Sequence, residues 1–287
     1  MRRNRRSSTS DWVAALRALY SPGPAGLPSV EDGAALSLLP RSLSLTVRAA
    51  RLHPVAARVM HRGLGRASLG LSYGVPLRTL EIDAFLRKSI ADGLQQLVIV
   101  GAGLDARAYR IAELAPVRVF ELDHPSTQAY KRERTSSRAS YAKELIHAAI
   151  DFEKESLDAV LARHDFRVDA PSIWLWEGVT MYLAPAAVEA TLASIGACSA
   201  PGSRLAVTYL PRHFDAAWAL GLSRAGARII GESVRAQYEA PEMAALLETH
   251  GFRTHRDDTA TDWAKRWPPK EHTHIRNWER LTRAERI

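Results

Sequence analysis

An apolar run that closes on glycines, followed by a second apolar run that closes on acids, constrains this chain more than any other feature. Gln96-Leu97-Val98-Ile99-Val100 leads into Gly101-Ala102-Gly103-Leu104-Asp105-Ala106-Arg107, and Val117-Arg118-Val119-Phe120 leads into Glu121-Leu122-Asp123. A parallel α/β sheet holds a nucleoside in this way. Glycines let backbone approach the ligand, and a carboxylate at the end of the next strand takes the ribose hydroxyls. The pattern implies an adenosine-type cofactor and leaves its identity open.

Further short apolar runs follow with helical intervals between them: Ala148 to Phe152, Ile173 to Trp176 and Leu205 to Leu210, with a late strand at Phe252 to His255. Strands alternating with helices predict right-handed crossovers and a mostly parallel sheet. Helical periodicity is expected over Asp11 to Tyr20, Leu43 to Met60 with an interruption at Pro54, Leu80 to Asp92, and Glu239 to His250. At 287 residues and 46% hydrophobic content, one α/β domain is expected. Its reading is a basic disordered tail at 1–10 and a single domain at 11–287. Within the domain, a helical arm spans 11–75, a cofactor-binding core 76–210, a cap insertion 211–240 and the C-terminal part of the core 241–287.

The formal charge is +8, but Arg2, Arg3, Arg5 and Arg6 contribute four of those charges from the tail, so no nucleic-acid partner is expected. The lone cysteine, Cys198, permits no intrachain disulfide and reads as a packed thiol in a reducing cytoplasm. No charge-free apolar stretch approaches the ~18 residues a membrane span needs, so no membrane partner is expected. His272 and His274 lack nearby ligands in metal spacing, and no metal is expected. Trp263, Trp267 and Trp278 read as anchors of the C-terminal segment, and Tyr130 to Arg134 as an exposed helix face.

Ligands of open parallel sheets bind at the carboxyl ends of the strands. Acids gather there: Asp105 after the first strand, Glu121 and Asp123 on the second, Asp151 on the third and Glu177 after the fourth. Asp105 would repel the pyrophosphate of a dinucleotide, whereas S-adenosylmethionine carries two cationic groups that carboxylates favour. Asp105 or Asp151 could equally cap a helix. Arg78, just ahead of the helix expected at Leu80, could clamp the carboxylate of that donor or cap the helix.

Arg78-Thr79 with Asp83, Gly101 to Arg110, Val119 to Pro125, Asp151-Phe152 and Trp176-Glu177-Gly178-Val179-Thr180-Met181-Tyr182-Leu183 together resemble the leucine carboxyl methyltransferase family of S-adenosylmethionine-dependent O-methyltransferases. The resemblance runs in order from about Ser10 to Leu210. It implies a Rossmann-like class I methyltransferase sheet with S-adenosylmethionine as cofactor. It also implies that Arg78 holds the donor carboxylate, and that Gly101 and its neighbours Ala102, Gly103 and Asp105 line the methionine portion. Asp123 would bind the ribose, and Glu121 on the same strand is counted among the cofactor-binding residues. Asp151 and Phe152 would flank adenine, and Glu177 would approach the amino-acid end. Ala106 departs from the family's usual threonine, and Glu31-Asp32-Gly33 from a common Asp-Pro.

The implied reaction is methyl transfer to a carboxylate or hydroxyl of a small molecule, in some relatives a polyketide. The alternatives are a protein C-terminal carboxylate as acceptor, or an NAD(P)-dependent oxidoreductase. An ionised carboxylate needs no base. For a hydroxyl, His124, Tyr182, His213 and Asp215 are placed to take a proton, and Tyr182 is the first catalytic candidate.

Overall fold

The computed structural model describes residues 8–21, 29–67, 70–152, 154–212, 234–269 and 275–287. Most of the expected cap, with His213 and Asp215, lies outside the described residues, as do His272 and His274.

Four helices form the arm: α1 (Ser8–Leu19), α2 (Ala35–Leu38), α3 (Arg41–Leu52) and α4 (Pro54–Ala67). Helix α1 begins inside the stretch read as tail. Pro54 starts α4 instead of interrupting one long helix, because a residue without an amide hydrogen costs nothing in a first turn. The next helix, α5 (Leu71–Ala91), begins well ahead of Leu80 and tolerates Pro76 within it. Arg78 is therefore mid-helix and only 4% exposed, and the helix-cap alternative is excluded.

The sheet has seven strands: β1 (Gln96–Val100), β2 (Arg118–Asp123), β3 (Glu144–Ala149), β4 (Ile173–Trp176), β5 (Arg204–Tyr209), β6 (Phe252–Thr259) and β7 (Arg280–Arg286). Their order is β3-β2-β1-β4-β5-β7-β6, parallel through the first five positions, with β7 antiparallel to both its neighbours. Between the strands run α6 (Pro125–Thr135), α7 (Leu157–Ala162), α8 (Pro185–Ala197), α9 (Ala240–Thr249) and α10 (Ala260–Arg266).

Central strands are buried on both faces and so read as unbroken apolar runs. All four residues of β4 are fully buried. One sheet face packs Val98, Phe120, Trp174 and Trp176 against Leu161 of α7, Leu192 of α8 and Leu247 of α9. The other packs Leu97, Ile99, Val119 and Leu175 against Leu86 of α5 and Trp263 of α10. The arm makes a third cluster in which Leu19, Tyr20 and Leu38 meet Leu104 and Tyr109 from the loop after β1. This packing sets the arm beside the glycine turn.

Three sequence readings are corrected. Strand β3 lies four residues earlier at its start than Ala148, because it is the sheet edge and its half-exposed Glu144 to His147 carry no apolar run. Strand β7 escaped the reading altogether. Its sequence, Arg280-Leu281-Thr282-Arg283-Ala284-Glu285-Arg286, looks solvated, yet Arg280 binds Asp257 and Arg283 binds Glu81 and Asp258. Lys131, read as exposed, is 1% exposed and its Nζ lies 2.7 Å from Glu121. Cys198 is buried, and burial pushes its thiol up to about 11. Among the described residues no helix is long and apolar enough to cross a membrane, and no His, Cys, Asp or Glu cluster could hold a metal.

Candidate active site

The turn after β1 reverses tightly under β2. Gly101 and Gly103 have φ of +70° and +48°, a region that costs a residue with a Cβ about 1–2 kcal/mol. The amides of Gly101 and Ala102 both donate to the Leu122 carbonyl, at 2.8 and 2.9 Å. A methyl on Gly101 would stand 2.5 Å from Val179 Cγ2, so the turn also needs glycine for space.

Asp123, at the end of β2, closes over this turn. Its Oδ2 accepts from the Gly103 amide at 2.5 Å and its Oδ1 from the His124 amide at 2.6 Å. Burial raises its pKa against the pull of those two amides. His124 begins α6, its ring Nδ1 2.8 Å from Ser126 Oγ, so this candidate base is engaged in capping. The Asp123 carbonyl accepts from Ile150, which brings Asp151 and Phe152 to the same edge. Asp151 pairs with Lys154 at 2.9 Å, and Phe152 is partly buried against the core.

A buried chain of alternating charges runs beneath the turn. Arg78 Nε donates to Glu177 at 2.8 Å, while its Nη1 donates to both oxygens of Glu279 at 2.8 and 2.6 Å. Arg107 binds Asp83 and Glu177 at 2.8 and 2.9 Å and also reaches Asp105. Arg110 extends the chain from Asp83 at 2.6 Å to Asp32 at 3.7 Å, and Asp32 meets Arg17 of α1 at 2.9 Å. Arg17 also donates to the Leu104 carbonyl at 2.6 Å, which ties the arm to the turn.

These pairings fix the protonation states. Burial works against ionised Glu177, but Arg78 and Arg107 outweigh it and hold the carboxyl at about 2. Asp105 is likewise held well below the usual range by Arg107 and Arg17 despite burial. Arg78 stays charged because Glu279 and Glu177 more than offset its desolvation.

Arg78, Gly101, Ala102, Gly103, Asp105, Asp123 and Glu177 therefore converge at the carboxyl ends of β1, β2 and β4. Tyr182 sits in the turn Thr180–Tyr182, whose neighbour Val179 touches Gly101. Glu121 stands apart. Its side chain, fully buried, faces α6 and lies against Lys131 at 2.7 Å and His147 at 3.2 Å. Glu121 shares a face of β2 with Asp123 two residues on, but its carboxylate is engaged by Lys131 and His147 rather than by the glycine turn.

Sequence reasoning missed Arg107, Asp83 and Glu279. Arg107 and Asp83 stood within the quoted motifs, and the signal was charge balance, since acids at buried strand ends require cations. Glu279 had no local signal. The strand-end acids are not bare: Asp105 and Glu177 are each paired with arginine, so much of their charge is compensated within the network.

The residues present fit a nucleoside bearing an amino-acid tail. Two left-handed glycines admit backbone contact, and Asp123 offers a buried carboxylate. Among the described residues Arg78 Nη2 makes no hydrogen bond, and a methyl on Gly178 would stand 3.8 Å from it. Sheet order, glycine turn and strand-end carboxylate define a class I S-adenosylmethionine-dependent methyltransferase. A Thermobifida fusca structure described as a methyltransferase shares the fold, with a TM-score of 0.59 at 16% identity over 96% of this chain and 94% of that one.

The model of the family "Leucine carboxyl methyltransferase" matches residues 11–196, and the chain belongs to that family. A Mycolicibacterium paratuberculosis protein named for S-adenosyl-L-methionine-dependent methyl transfer is 32% identical over 282 residues, covering 93% of this chain and 90% of its own. A Mycobacterium protein (strain JLS) named likewise is 32% identical over 285 residues, covering 95% and 82%. The cofactor is S-adenosylmethionine, and the dinucleotide alternative falls with that assignment.

Proposed function

We propose that the chain is an O-methyltransferase of small molecules, polyketides and other secondary metabolites among them, and that the oxygen it methylates belongs to a carboxylate. One observation carries the choice of carboxylate: arginines hold Glu177 and Asp105 too acidic to act as bases, and Asp123, though raised by burial, is committed to backbone amides and, in this reading, to the ribose. Glu177 titrates at about 2, Asp105 is held low, and both oxygens of Asp123 accept backbone amides. An acceptor that arrives ionised needs none of them.

Bound S-adenosylmethionine supplies an electrophilic methyl group on sulfonium. In this reading Arg78 Nη2 and Glu177 hold the amino-acid end of the donor, and backbone at Gly101, Ala102, Gly103 and Asp105 lines its middle. Asp123 takes the ribose hydroxyls, and Asp151 and Phe152 flank adenine. The arm and its Arg17 contacts keep water from the turn, and the remaining task is to hold donor and acceptor collinear.

The test uses S-adenosylmethionine labelled in the methyl group, with panels of carboxylates and phenols. Label in an extractable product that mild base releases supports a methyl ester. Base-stable label identifies an ether and refutes the carboxylate. Label retained in polypeptide supports the protein C-terminal alternative.

A further inference from the structure

The buried charge chain ends on a residue that no motif marked. Glu279 follows the described C-terminal loop, is 1% exposed, and grips Arg78 through both carboxylate oxygens. The chain joins four arginines, at 17, 78, 107 and 110, to five carboxylates, at 32, 83, 105, 177 and 279. Glu279 is its terminal member, and without it the two signs balance. The donor carries sulfonium, ammonium and carboxylate and is a net monocation. Once the methyl group has left, the thioether product is neutral.

We propose that Glu279 is a positioning and selectivity residue. It fixes the guanidinium of Arg78 against Glu177, and it supplies the surplus negative charge by which the site favours the cationic donor over its neutral product. The inference concerns the donor alone and stands whichever acceptor is used. A single charge beside a buried site acts on a second charge through an effective dielectric far below that of water. Two ligands that differ by one positive charge near the Arg78 end therefore feel its removal differently, whereas a residue needed only for shape affects both alike.

Burial pushes the Glu279 carboxyl above its ordinary range, against the opposing pull of Arg78 and Thr208. The other charged groups that face it are Arg78 from α5 and Glu177 after β4, and Glu177 stays ionised down to about 2. Asp123, also raised by burial, is assigned to the ribose that both ligands share, so it cancels from their ratio.

Calorimetric titration of full-length protein with S-adenosylmethionine and with S-adenosylhomocysteine tests the proposal, with thermal melting to establish folding. In Glu279→Gln, which keeps the shape, the ratio of donor to product affinity is expected to fall about three- to tenfold, the size of one screened charge interaction. Product affinity should hold within about twofold, and Glu279→Asp should retain the wild-type ratio. Parallel weakening of both ligands in Glu279→Gln, or no change in either, overturns the proposal. Should Glu279→Gln fail to fold, Glu279→Met, which fills a similar volume without the charge, is titrated with the same two ligands. A donor-to-product ratio that falls in that variant supports the assignment, and a ratio unchanged from wild type refutes it.

Discussion

Replacing Arg107 by methionine should damage this protein more than almost any other single change, and the structure says by how much. The side chain is 1% exposed and serves Asp83, Asp105 and Glu177 at once. In Arg107→Met, Asp83 keeps Arg110 and Glu177 keeps Arg78, but Asp105 loses its ion-pair partner while remaining 7% exposed. Breaking a buried pair from one side costs about 3–5 kcal/mol, much of a domain's net stability. At roughly 2–4 °C per kcal/mol for a larger domain, the melting temperature should drop by about 10 °C.

The pH dependence of that deficit separates charge from packing. In the wild type, arginine depresses the Asp105 and Glu177 pKa values, and the stability this brings is fully present above the ordinary carboxylate range. In the variant, the more distant Arg17 and Lys131 no longer offset burial, and the folded-state pKa of Asp105 is expected to rise above its unfolded value. The destabilisation therefore grows as pH rises through the ordinary carboxylate range and shrinks at lower pH, as the carboxyl takes a proton. Urea denaturation at a series of pH values measures this. A loss below about 1 kcal/mol, or a loss that does not change with pH, refutes the reasoning.

Acid unfolding of the wild type should track the same network: stability declines as pH falls from the ordinary carboxylate range toward about 2, where Glu177 protonates, and circular dichroism that stays native throughout contradicts this. Gly101→Ala places a methyl 2.5 Å from Val179 at a φ of +70°, so it should cost about 1–2 kcal/mol of backbone strain plus the displacement of Val179, read as a lower melting temperature and weaker donor binding. Asp123→Asn keeps an acceptor for the Gly103 amide but loses the charge, and should weaken S-adenosylmethionine binding by about 1–3 kcal/mol in calorimetry; unchanged affinity in the folded variant removes Asp123 from the site. Tyr182→Phe should leave turnover on a carboxylate within about threefold, whereas a loss near a hundredfold makes Tyr182 the catalytic base.

The sequence by itself determined that the sheet is mostly parallel and where its glycine turn lies. Both rest on local rules, since strands buried on both faces must be apolar and a turn with φ near +70° must be glycine. Gly101, Gly103, Asp123 and Glu177 were legible for that reason. Tertiary structure alone decided the charge partners. Arg78 and Glu279 are about 200 residues apart in the chain yet share two hydrogen bonds. The cost of desolvating Asp105 and Glu177 is met by arginines from the arm, from α5 and from the turn itself. It likewise decided β7, whose partly buried Arg280 and Arg283 are held by Asp257, Asp258 and Glu81 and so show no apolar strand pattern, and it paired Glu121 with Lys131. A linear pattern records which side chains avoid water, but which opposite charge makes a buried one tolerable is settled only when distant segments meet.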